Sequence, residues 1–424
     1  MARMKFGAFL APHHPIGEHP TLQLQNDLKL AQHMDELGYD EFWVGEHHST
    51  GWEMIASPEM FLAVAAERTH RIRLGTGVIS LPYHHPFNVA QRLVQLDHHT
   101  RGRVIFGSGP GALPSDARTL GINPMVQRDR QDEALGVIIR LLRGEERFSY
   151  ESDWFTLKDA QLQILPLQED MAMTAASSIS PSGMQIAGKH GIGALSIAST
   201  SSEGLMALPT QWSFAEEAAA KNGKTVDRKN WRVLMTWHLA ESKKEALAEA
   251  KMGLQRWHNE YNVDVLGRPG ATRVEDADKL MDQVAGGAAE GTGTAVVGTP
   301  DELVTAIRSL QDVTGGFGVV LGFAHDWANR EATLRSWELF ARFVAPEING
   351  YTRAQKDSAQ YLVENKKELI AGAGAAVMAK IAADPKAAAA LQVTIKQAQE
   401  RAQGGEWRPG GQLTEGETAD AKSS

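Results

Sequence analysis

Short apolar runs alternate with longer amphipathic segments through residues 1–350 of the chain. Each run has the length and the branched or aromatic content of a buried strand. The segments between them repeat apolar residues every three or four positions, as Leu28, Ala31, Met34 and Leu37 do in the first segment. The predicted strands lie at 6–10, the apolar part of 41–48, 72–81, 104–107, 172–176, 194–197, 233–240 and 317–323.

Eight repeats of a strand followed by a helix favour a parallel sheet that closes into a barrel. We therefore predict an α/β fold, a (β/α)8 TIM barrel over residues 1–350, with a hairpin insertion at 150–163. Residues 262–293, rich in Gly, Asp and Ala, are interpreted as a surface excursion. Residues 351–424 are rich in Ala, Lys, Glu and Gln, which predicts a helical C-terminal appendage whose last ~15–20 residues are disordered.

Composition narrows the class of protein. The 424 residues carry a formal net charge of −9 and contain no cysteine. An acidic chain without a dense Lys/Arg cluster argues against a nucleic-acid partner, and the lack of cysteine excludes disulfides, thiolate nucleophiles and Cys-ligated metals. Neither a signal-peptide pattern nor an apolar run of about 18 residues is present. We expect a cytoplasmic protein with no membrane span.

Reactive side chains are expected at the carboxyl ends of the strands, because the βα loops of a barrel gather there. Imidazole, carboxylate and hydroxyl groups follow most of the predicted strands and should converge on one face. The residues in these positions are His13, His14, Glu46, His47, His48, Tyr83, His84, His85, the segment 108–111, the serines of 177–182, Trp237, His238 and His325.

The histidine doublet beside Glu46 is the strongest candidate for chemistry. Adjacent side chains of an extended chain point to opposite faces, so only one of His47 and His48 is expected to face a site. Zinc is the alternative ligand for such a cluster. However, the chain contains neither the His-x-x-x-His nor the His-x-His spacing of metal-binding helices and strands, and we predict no metal site.

Two loops are candidates for contact with a cofactor. The run 107–112 formally matches a dinucleotide fingerprint, but Pro114 interrupts it and the next predicted helix begins only near Gln127. Its glycines are better suited to close approach of the backbone to a planar ligand. The loop 177–183 places hydroxyls and free backbone N–H groups before a helix, which favours a phosphate site. The alternative, a simple helix cap, needs one serine rather than four.

Several segments of the chain form one pattern in a consistent order, namely 5–10, 38–48, 74–82, 85–86, 95–97, 102–107 and 297–303. These segments resemble the bacterial luciferase-like family of flavin-dependent monooxygenases. The resemblance covers about residues 1–347, and the N-terminal third is most similar to the limonene monooxygenase branch. The family fold is a TIM barrel, in agreement with the number of predicted strands.

The resemblance implies roles for residues around the flavin ring. His47 matches a histidine near the reactive flavin and would act as its hydrogen-bond partner or general acid, with Glu46 setting the tautomer of His47 or supporting the barrel rim. Gly77 and Val78 match a pair joined by a cis peptide beneath the ring. The loop that begins with Ser108 and Gly109 would lie close to the ring.

The resemblance also implies a phosphate site. Ser178, Ser180, Ser182 and Gly183 are the residues expected there, together with Arg130, for which Arg128 is the alternative. Luciferase has a reactive cysteine followed by an arginine after its fourth strand, whereas this chain has Gly109 and Pro110. That difference does not support light emission as the function.

Taken together, the matches imply a two-component enzyme. Reduced FMN, with FAD as the alternative, would be supplied by a separate flavin reductase and would react with dioxygen, so that one oxygen atom enters a small apolar substrate, for example a terpene such as limonene. The residues expected to line an apolar pocket are Phe9, Trp43, Trp52, Met54 and Tyr83. A homodimer is expected from the family. Two alternatives remain open: hydride transfer with a deazaflavin coenzyme, and flavin binding without catalysis.

Overall fold

A computed structural model describes residues 3–197, 201–286 and 293–402 of the chain. By its internal contacts the chain separates into two compact units, Met1–Gly350 and Tyr351–Ser424. The segment expected to be disordered at the end of the chain falls within 403–424, outside the described residues.

The first unit contains twelve strands in its described part. The strands are β1 (Lys5–Leu10), β2 (Glu41–Val44), β3 (Arg73–Thr76), β4 (Ile79–Ser80), β5 (Val104–Gly109), β6 (Phe148–Glu151), β7 (Thr156–Ala160), β8 (Met173–Ser177), β9 (Gly193–Ser196), β10 (Trp231–Leu239), β11 (Ala295–Gly298) and β12 (Val319–Ala324).

Helices follow most of the strands. The helices of the first unit are α1 (Pro20–Leu37), α2 (Pro58–Ala66), α3 (Pro86–Thr100), α4 (Pro114–Thr119), α5 (Gln127–Leu142), α6 (Ser182–His190), α7 (Ser202–Lys221), α8 (Lys243–Arg256), α9 (Ala277–Ala285), α10 (Pro300–Thr314), α11 (Arg330–Leu339) and α12 (Ala345–Asn349). The described part of the second unit contains α13 (Arg353–Ala382) and α14 (Pro385–Ala402). Among the helices that the structure describes, none combines the length and the apolar character needed to cross a bilayer.

Eight parallel strands close into a barrel. Their order is β1, β2, β3, β5, β8, β9, β10 and β12, and β12 pairs with β1 to complete the circle. Each of the eight predicted strands overlaps one of these, so the predicted (β/α)8 TIM barrel is confirmed. The predicted hairpin is also present, as the antiparallel pair β6 and β7.

Large side chains fill the inside of the barrel. Trp43 from β2 is fully buried there, and glycines on neighbouring strands leave room for its indole. A Cβ atom at Gly75 would lie 2.4 Å from the Trp43 ring, and one at Gly107 would lie 2.9 Å from the same ring and 2.0 Å from the carbonyl oxygen of Thr76. The part of the barrel around Trp43 is therefore a packed core. The loops at the carboxyl ends of the strands are left to form a site.

A buried ion pair links two strands that are not neighbours in the barrel. Arg232 of β10 donates from Nε and Nη2 to the two carboxylate oxygens of Glu41 on β2, at 2.7 and 2.9 Å, and Trp43 Nε1 donates to the same carboxylate at 2.9 Å. Burial opposes ionisation of Glu41, but the Arg232 guanidinium outweighs it and holds the pKa of Glu41 below its ordinary value. These contacts satisfy both charges, as a pair at this depth requires.

The predicted third strand, 72–81, is interrupted. Strand β3 ends at Thr76, the peptide between Gly77 and Val78 is cis, and the chain resumes as β4. The cis peptide is in the place that the resemblance implies. Gly77 and Val78 thus lie between β3 and β4, at the loop end of the barrel.

The interpretation of 262–293 as a surface excursion is wrong for its helical parts, 262–265 and 277–285, whereas the loop between them is largely exposed. Helix α8 continues into π-helical turns at Trp257–Val265, and α9 buries Leu280 and Met281 in a core that includes residues of α8 and β11. These helices could not be recognised in the sequence because glycine-rich loops separate them and dominate the composition of the segment.

A short helix was also missed after β5. Pro114, interpreted as an interruption, is the first residue of α4. A proline at this position costs nothing, because the first N–H groups of a helix have no intrahelical partner. Helix α4 brings Asp116 toward the end of β2.

Candidate active site

A cavity of about 420 Å³ lies at the carboxyl ends of the barrel strands, and residues at the ends of all eight strands contribute to its wall. This volume is within the usual range for a site that binds a small molecule or a cofactor. Eight of the eleven residues preferred for catalysis or for binding of the cofactor lie in the wall. They are Glu46, His47, Gly77, Val78, Ser178, Ser180, Ser182 and Gly183.

His47 lies between two carboxylates just beyond β2. Its Nδ1 is 3.2 Å from Oδ2 of Asp116, and its Nε2 is 3.2 Å from Oε1 of Glu53. Burial favours the neutral imidazole, but the hydrogen bond to Asp116 and the charge of Glu53 outweigh burial and raise the pKa of His47. With a carboxylate on each nitrogen, the ring is held as a cation that can give up a proton.

Glu46 has different partners. Its Oε1 accepts from Nε2 of His48 at 2.9 Å and from Nε2 of His84 at 2.7 Å, and its Oε2 accepts from the backbone N–H of Ser80 at 2.8 Å. Burial works against its charge, but these donors lower the pKa of Glu46 to about 2. Of the two roles considered for Glu46, setting the tautomer of His47 is therefore wrong, and the residue ties β2 to the chain after the cis peptide.

The Gly77–Val78 segment forms the floor of the cavity. A Cβ atom at Gly77 would lie 2.7 Å from the Phe9 ring, and one at Gly109 would lie 2.4 Å from Cγ2 of Val78. Gly109 therefore supports Val78 from behind, and Ser108 donates to the carbonyl oxygen of Thr174 inside the barrel wall at 3.3 Å. Both were predicted to contact the cofactor, but the structure places them behind the residues that line the cavity.

The serine segment lies at the start of α6. The hydroxyls of Ser180 and Ser182 are 2.9 Å apart, and both residues line the cavity. Gly183 brings the helix against the end of β8, because a Cβ atom there would lie 2.1 Å from the carbonyl oxygen of Ala176. A helix N-terminus with hydroxyls beside it favours an anion.

A glutamine that the sequence did not indicate lines the same cavity. Gln131 of α5 is only 1% exposed, and within the described ranges its amide nitrogen Nε2 has no hydrogen-bond partner. A buried amide without a partner is costly, so a ligand in the cavity that accepted a hydrogen bond from it would be favoured.

Of the two arginines considered for the phosphate, Arg128 lies in the cavity wall. Arg130 turns to the β6–β7 hairpin, where its Nη2 is 3.2 Å from Oδ2 of Asp153 and its guanidinium lies 5.2 Å from the centre of the Trp154 ring. The side chains point apart because neighbours two positions apart on a helix do not share a face. The preference for Arg130 is therefore replaced by Arg128.

Aromatic side chains line the same cavity as the serine segment. Trp257 and Tyr261 come from the π-helical turns after α8, and Phe323 and Trp327 come from the end of β12. Of the aromatic residues expected in a pocket, Phe9 is in the wall, whereas Trp43 lies in the barrel core and Trp52 packs behind Tyr261 at 5.4 Å between ring centres.

The remaining histidines at this end of the barrel have structural partners. His14 bonds to Asp27 and Asp326 at 2.9 and 2.7 Å, and His238 bonds to Glu249 at 2.8 Å. Burial lowers the pKa of His325 to about 3, and this neutral ring stacks on Trp327. In the part of the chain that the structure describes, no three His, Asp or Glu side chains are grouped to hold a metal ion.

Comparison with known proteins identifies the family. The model of the luciferase-like monooxygenases matches residues 4–315, which is most of the barrel. The chain belongs to this family. The resemblance found in the sequence is thereby confirmed, as is the prediction of an oxidoreductase that incorporates oxygen.

Two relatives among the luciferase-like monooxygenases have nearly half of their aligned residues in common with this chain. A 4-hydroxyprotoasukamycin monooxygenase of Streptomyces nodosus subsp. asukaensis is 48% identical, over 82% of this chain and 94% of the relative. A limonene 1,2-monooxygenase of Rhodococcus erythropolis is 47% identical, over 82% of this chain and 87% of the relative.

A solved structure of the family has the same barrel. It is the FMN-bound oxygenating constituent of 3,6-diketocamphane monooxygenase from Pseudomonas putida, a type II Baeyer-Villiger monooxygenase. Its identity to this chain is 26% and the TM-score is 0.69, over 81% of this chain and 98% of that one.

The residues of the cavity fit a flavin of the kind that luciferase-like monooxygenases use. The serines, the start of α6 and Arg128 offer donors and positive charge to a phosphate. Gly77 and Val78 offer a flat backbone floor, and Gln131 offers an amide that lacks a partner among the described residues. A single cavity thus offers partners for the phosphate, the planar ring and the hydrogen-bonding atoms of one flavin molecule.

Proposed function

We propose that this chain is the oxygenating component of a two-component flavin monooxygenase. It would take reduced FMN from a separate flavin reductase and, with dioxygen, insert one oxygen atom into a small apolar substrate. The observation that supports the proposal is the set of groups in the wall of one cavity: the serines at the start of α6, His47 between two carboxylates, and aromatic side chains from the π-helical turns and β12.

Each part of the cavity has a task in this reaction. Ser180, Ser182 and Arg128 would bind the phosphate and so fix the position of the ring above Gly77 and Val78. Bound reduced flavin supplies the electrons that activate dioxygen. The aromatic wall keeps water from the reacting atoms and orients the substrate.

His47 would supply the proton that oxygen transfer needs. The ring carries protons on both nitrogens, held toward Asp116 at Nδ1 and toward Glu53 at Nε2. A proton donor fixed in this way acts without the cost of orienting it during the reaction. Glu46 contributes indirectly, because its contacts with Ser80 and His84 hold the floor of the cavity in place.

The substrate is proposed from the aromatic wall. Trp257, Tyr261, Phe323 and Trp327 form a surface suited to a compact ring system rather than to a charged molecule. Cyclic terpenes such as limonene have this character, and the names of the relatives, which include a limonene monooxygenase and a diketocamphane monooxygenase, support the same class.

The test is a reconstitution with purified chain, a flavin reductase, NADH and FMN in air. A panel of cyclic terpenes and cyclic ketones would be scored for a product heavier by one oxygen atom. We expect product only when the chain, reduced flavin and dioxygen are all present, with FMN and FAD compared directly. Turnover of a reduced deazaflavin without oxygen consumption would overturn the proposal in favour of hydride transfer, and flavin binding without product across the panel would favour a non-catalytic role.

A further inference from the structure

Glu53 is a buried carboxylate that neither the motifs nor the resemblance indicated. It lies in the loop after β2, where its backbone forms an isolated antiparallel bridge with His13. The residue is 4% exposed and lines the cavity beside His47. A buried carboxylate needs donors for both oxygens, and their identity indicates what this one does.

Two imidazoles meet at the same oxygen of Glu53. Nε2 of His13 is 3.0 Å from Oε1, and Nε2 of His47 is 3.2 Å from it. The other oxygen, Oε2, accepts from the hydroxyl of Tyr261 at 2.6 Å and from Thr50 Oγ1 at 3.4 Å. Burial disfavours the charge of Glu53, but His13 and its other donors outweigh burial, and the pKa of Glu53 is lowered.

The two histidines differ in the partners of their ring nitrogens. His47 has a carboxylate at each nitrogen, which requires a proton on both. His13 has Glu53 at Nε2, whereas its buried Nδ1 has no partner among the residues that the structure describes. Carboxylates therefore flank both nitrogens of His47 but only Nε2 of His13, so His47 is the ring that Glu53 and Asp116 together favour as an imidazolium.

We propose that Glu53 is a positioning residue of the oxygenation reaction, which holds His47 as an imidazolium and ties it through Tyr261 to the aromatic wall of the cavity. The proposal rests on the proposed function for the reaction that His47 serves. Tyr261 belongs to the π-helical turns that also carry Trp257. The proton donor and the surface against which the substrate would pack are thus joined by a single carboxylate.

The carboxylates that face His47 come from two elements, the loop after β2 and α4. Glu53 is in the loop after β2, Asp116 is on α4, and Glu46 follows β2 and acts on His47 through its charge. Removal of the charge of Glu53 leaves Asp116 and Glu46, so that His47 would become easier to deprotonate without losing its other contact. A purely structural role for Glu53 predicts no such change.

The substitution Glu53→Gln isolates the charge. The amide keeps the volume and an oxygen acceptor but removes the negative charge that favours the imidazolium. The matched control is Glu338→Gln, which removes a carboxylate from the exposed side of α11, where Glu338 pairs with Arg342. Both variants lower the net negative charge of the chain by one.

The first measurement is an NMR titration of histidine labelled with ¹³C at Cε1, in the flavin-free protein, with His47→Asn used to assign the signal. We expect the midpoint of His47 to fall by about one pH unit or more in Glu53→Gln and to stay unchanged in Glu338→Gln. An unchanged midpoint in a folded Glu53→Gln protein overturns the proposal.

A second variant keeps the test decisive if Glu53→Gln does not fold. Tyr261→Phe removes a donor from Glu53 and leaves the carboxylate less neutralised, so the midpoint of His47 should stay or rise. A fall in this variant contradicts the proposal, because a general loosening of the site would lower the midpoint in both variants.

The second measurement connects the charge to the reaction. In the wild-type enzyme, product formed per reduced flavin should fall at alkaline pH as His47 loses its proton, and Glu53→Gln should move this fall to lower pH. A moved titration with an unmoved activity profile overturns the positioning role. If the wild-type chain oxygenates nothing, the proposed function fails, and the titration in flavin-free protein still decides whether Glu53 controls His47.

Discussion

Nδ1 of His47 lies 3.2 Å from Oδ2 of Asp116, although 69 residues separate the two in sequence. Asp116 reaches this position on α4 and also accepts from the backbone N–H of His48 at 3.1 Å and from the hydroxyl of Ser49. Burial disfavours its charge, but His47 and these other donors lower the pKa of Asp116. The pair therefore anchors the end of β2 and orients the proposed proton donor.

Replacement of His47 by Asn should separate catalysis from binding. The amide preserves polarity and most of the volume but cannot donate a proton as an acid. We expect oxygenated product per reduced flavin to fall by about 100-fold, with the dissociation constant of FMN unchanged within about twofold, since His47 lies at the ring end of the site in our account. Product yield and quenching of flavin fluorescence measure the two quantities. An unchanged yield would remove His47 from the mechanism.

The two arginines of α5 provide a matched pair. Arg128→Ala should weaken binding of FMN by about tenfold, the scale of one charge-assisted hydrogen bond at an exposed position. Arg130→Ala should leave FMN affinity unchanged and lower thermal stability instead, because Arg130 contacts Asp153 and Trp154 of the hairpin. Titration of riboflavin, which lacks the phosphate, should show no loss for either variant. Equal loss of FMN affinity in both would contradict the assignment.

A glycine pair tests the contact between α6 and β8. Gly183→Ala places a Cβ atom 2.1 Å from the carbonyl oxygen of Ala176, whereas at Gly136, in the middle of α5, the nearest atom to a new Cβ is a His190 carbon at 3.7 Å. We expect Gly183→Ala to cost about 1–3 kcal/mol of stability and to weaken FMN binding. Gly136→Ala should be neutral or stabilising, because alanine favours the helix. Chemical denaturation and FMN titration of both variants measure these effects.

The barrel could be predicted because each strand is a short apolar run followed by a helix, and a strand end such as Glu46–His47 marks the site. The resemblance to the family added the cis peptide at Gly77 and Val78, which no pattern of apolar residues indicates. The contacts of His47 and of its partner Glu53 could not be predicted. Glu53 and Tyr261 are 208 residues apart, and only the closed barrel brings such residues together.

Residue type alone also led to wrong predictions of which side chains line the cavity. Arg128 and Arg130 are the same residue type two positions apart, and only the direction of each side chain on α5 shows which one faces the cavity. Ser108 follows the pattern of a cofactor-binding loop, yet it belongs to β5, and its hydroxyl bonds to the neighbouring strand. Trp257 and Tyr261 come just before the segment interpreted as a surface excursion, and the periodicity of the sequence does not indicate that they line the cavity.

His14 should make stability depend on pH. Burial alone would lower its pKa, but hydrogen bonds to Asp27 and Asp326 raise it to about 10, above its ordinary value of 6.5. The protonated ring therefore contributes its full stabilisation below pH 6.5 and loses it as the pH rises toward 10. His14→Gln should lower the free energy of unfolding by on the order of 3 kcal/mol at the acid end of that window.

The check for His14 is urea denaturation of both proteins across the window. The difference between wild type and His14→Gln should shrink steadily from pH 6.5 to pH 10. A difference that stays constant over this window would show that the contacts of His14 with Asp27 and Asp326 stabilise the fold by packing rather than by charge.

A single turnover with isotopically labelled dioxygen shows whether this chain transfers an oxygen atom from dioxygen to its substrate. FMN reduced chemically, without a reductase, would be mixed with the chain, a substrate from the panel and ¹⁸O₂. The mass of the product would then be measured by mass spectrometry. Our account predicts one ¹⁸O atom in each product molecule, with the other reduced to water. A product that carries oxygen from water, or a product that forms equally well without dioxygen, would contradict it.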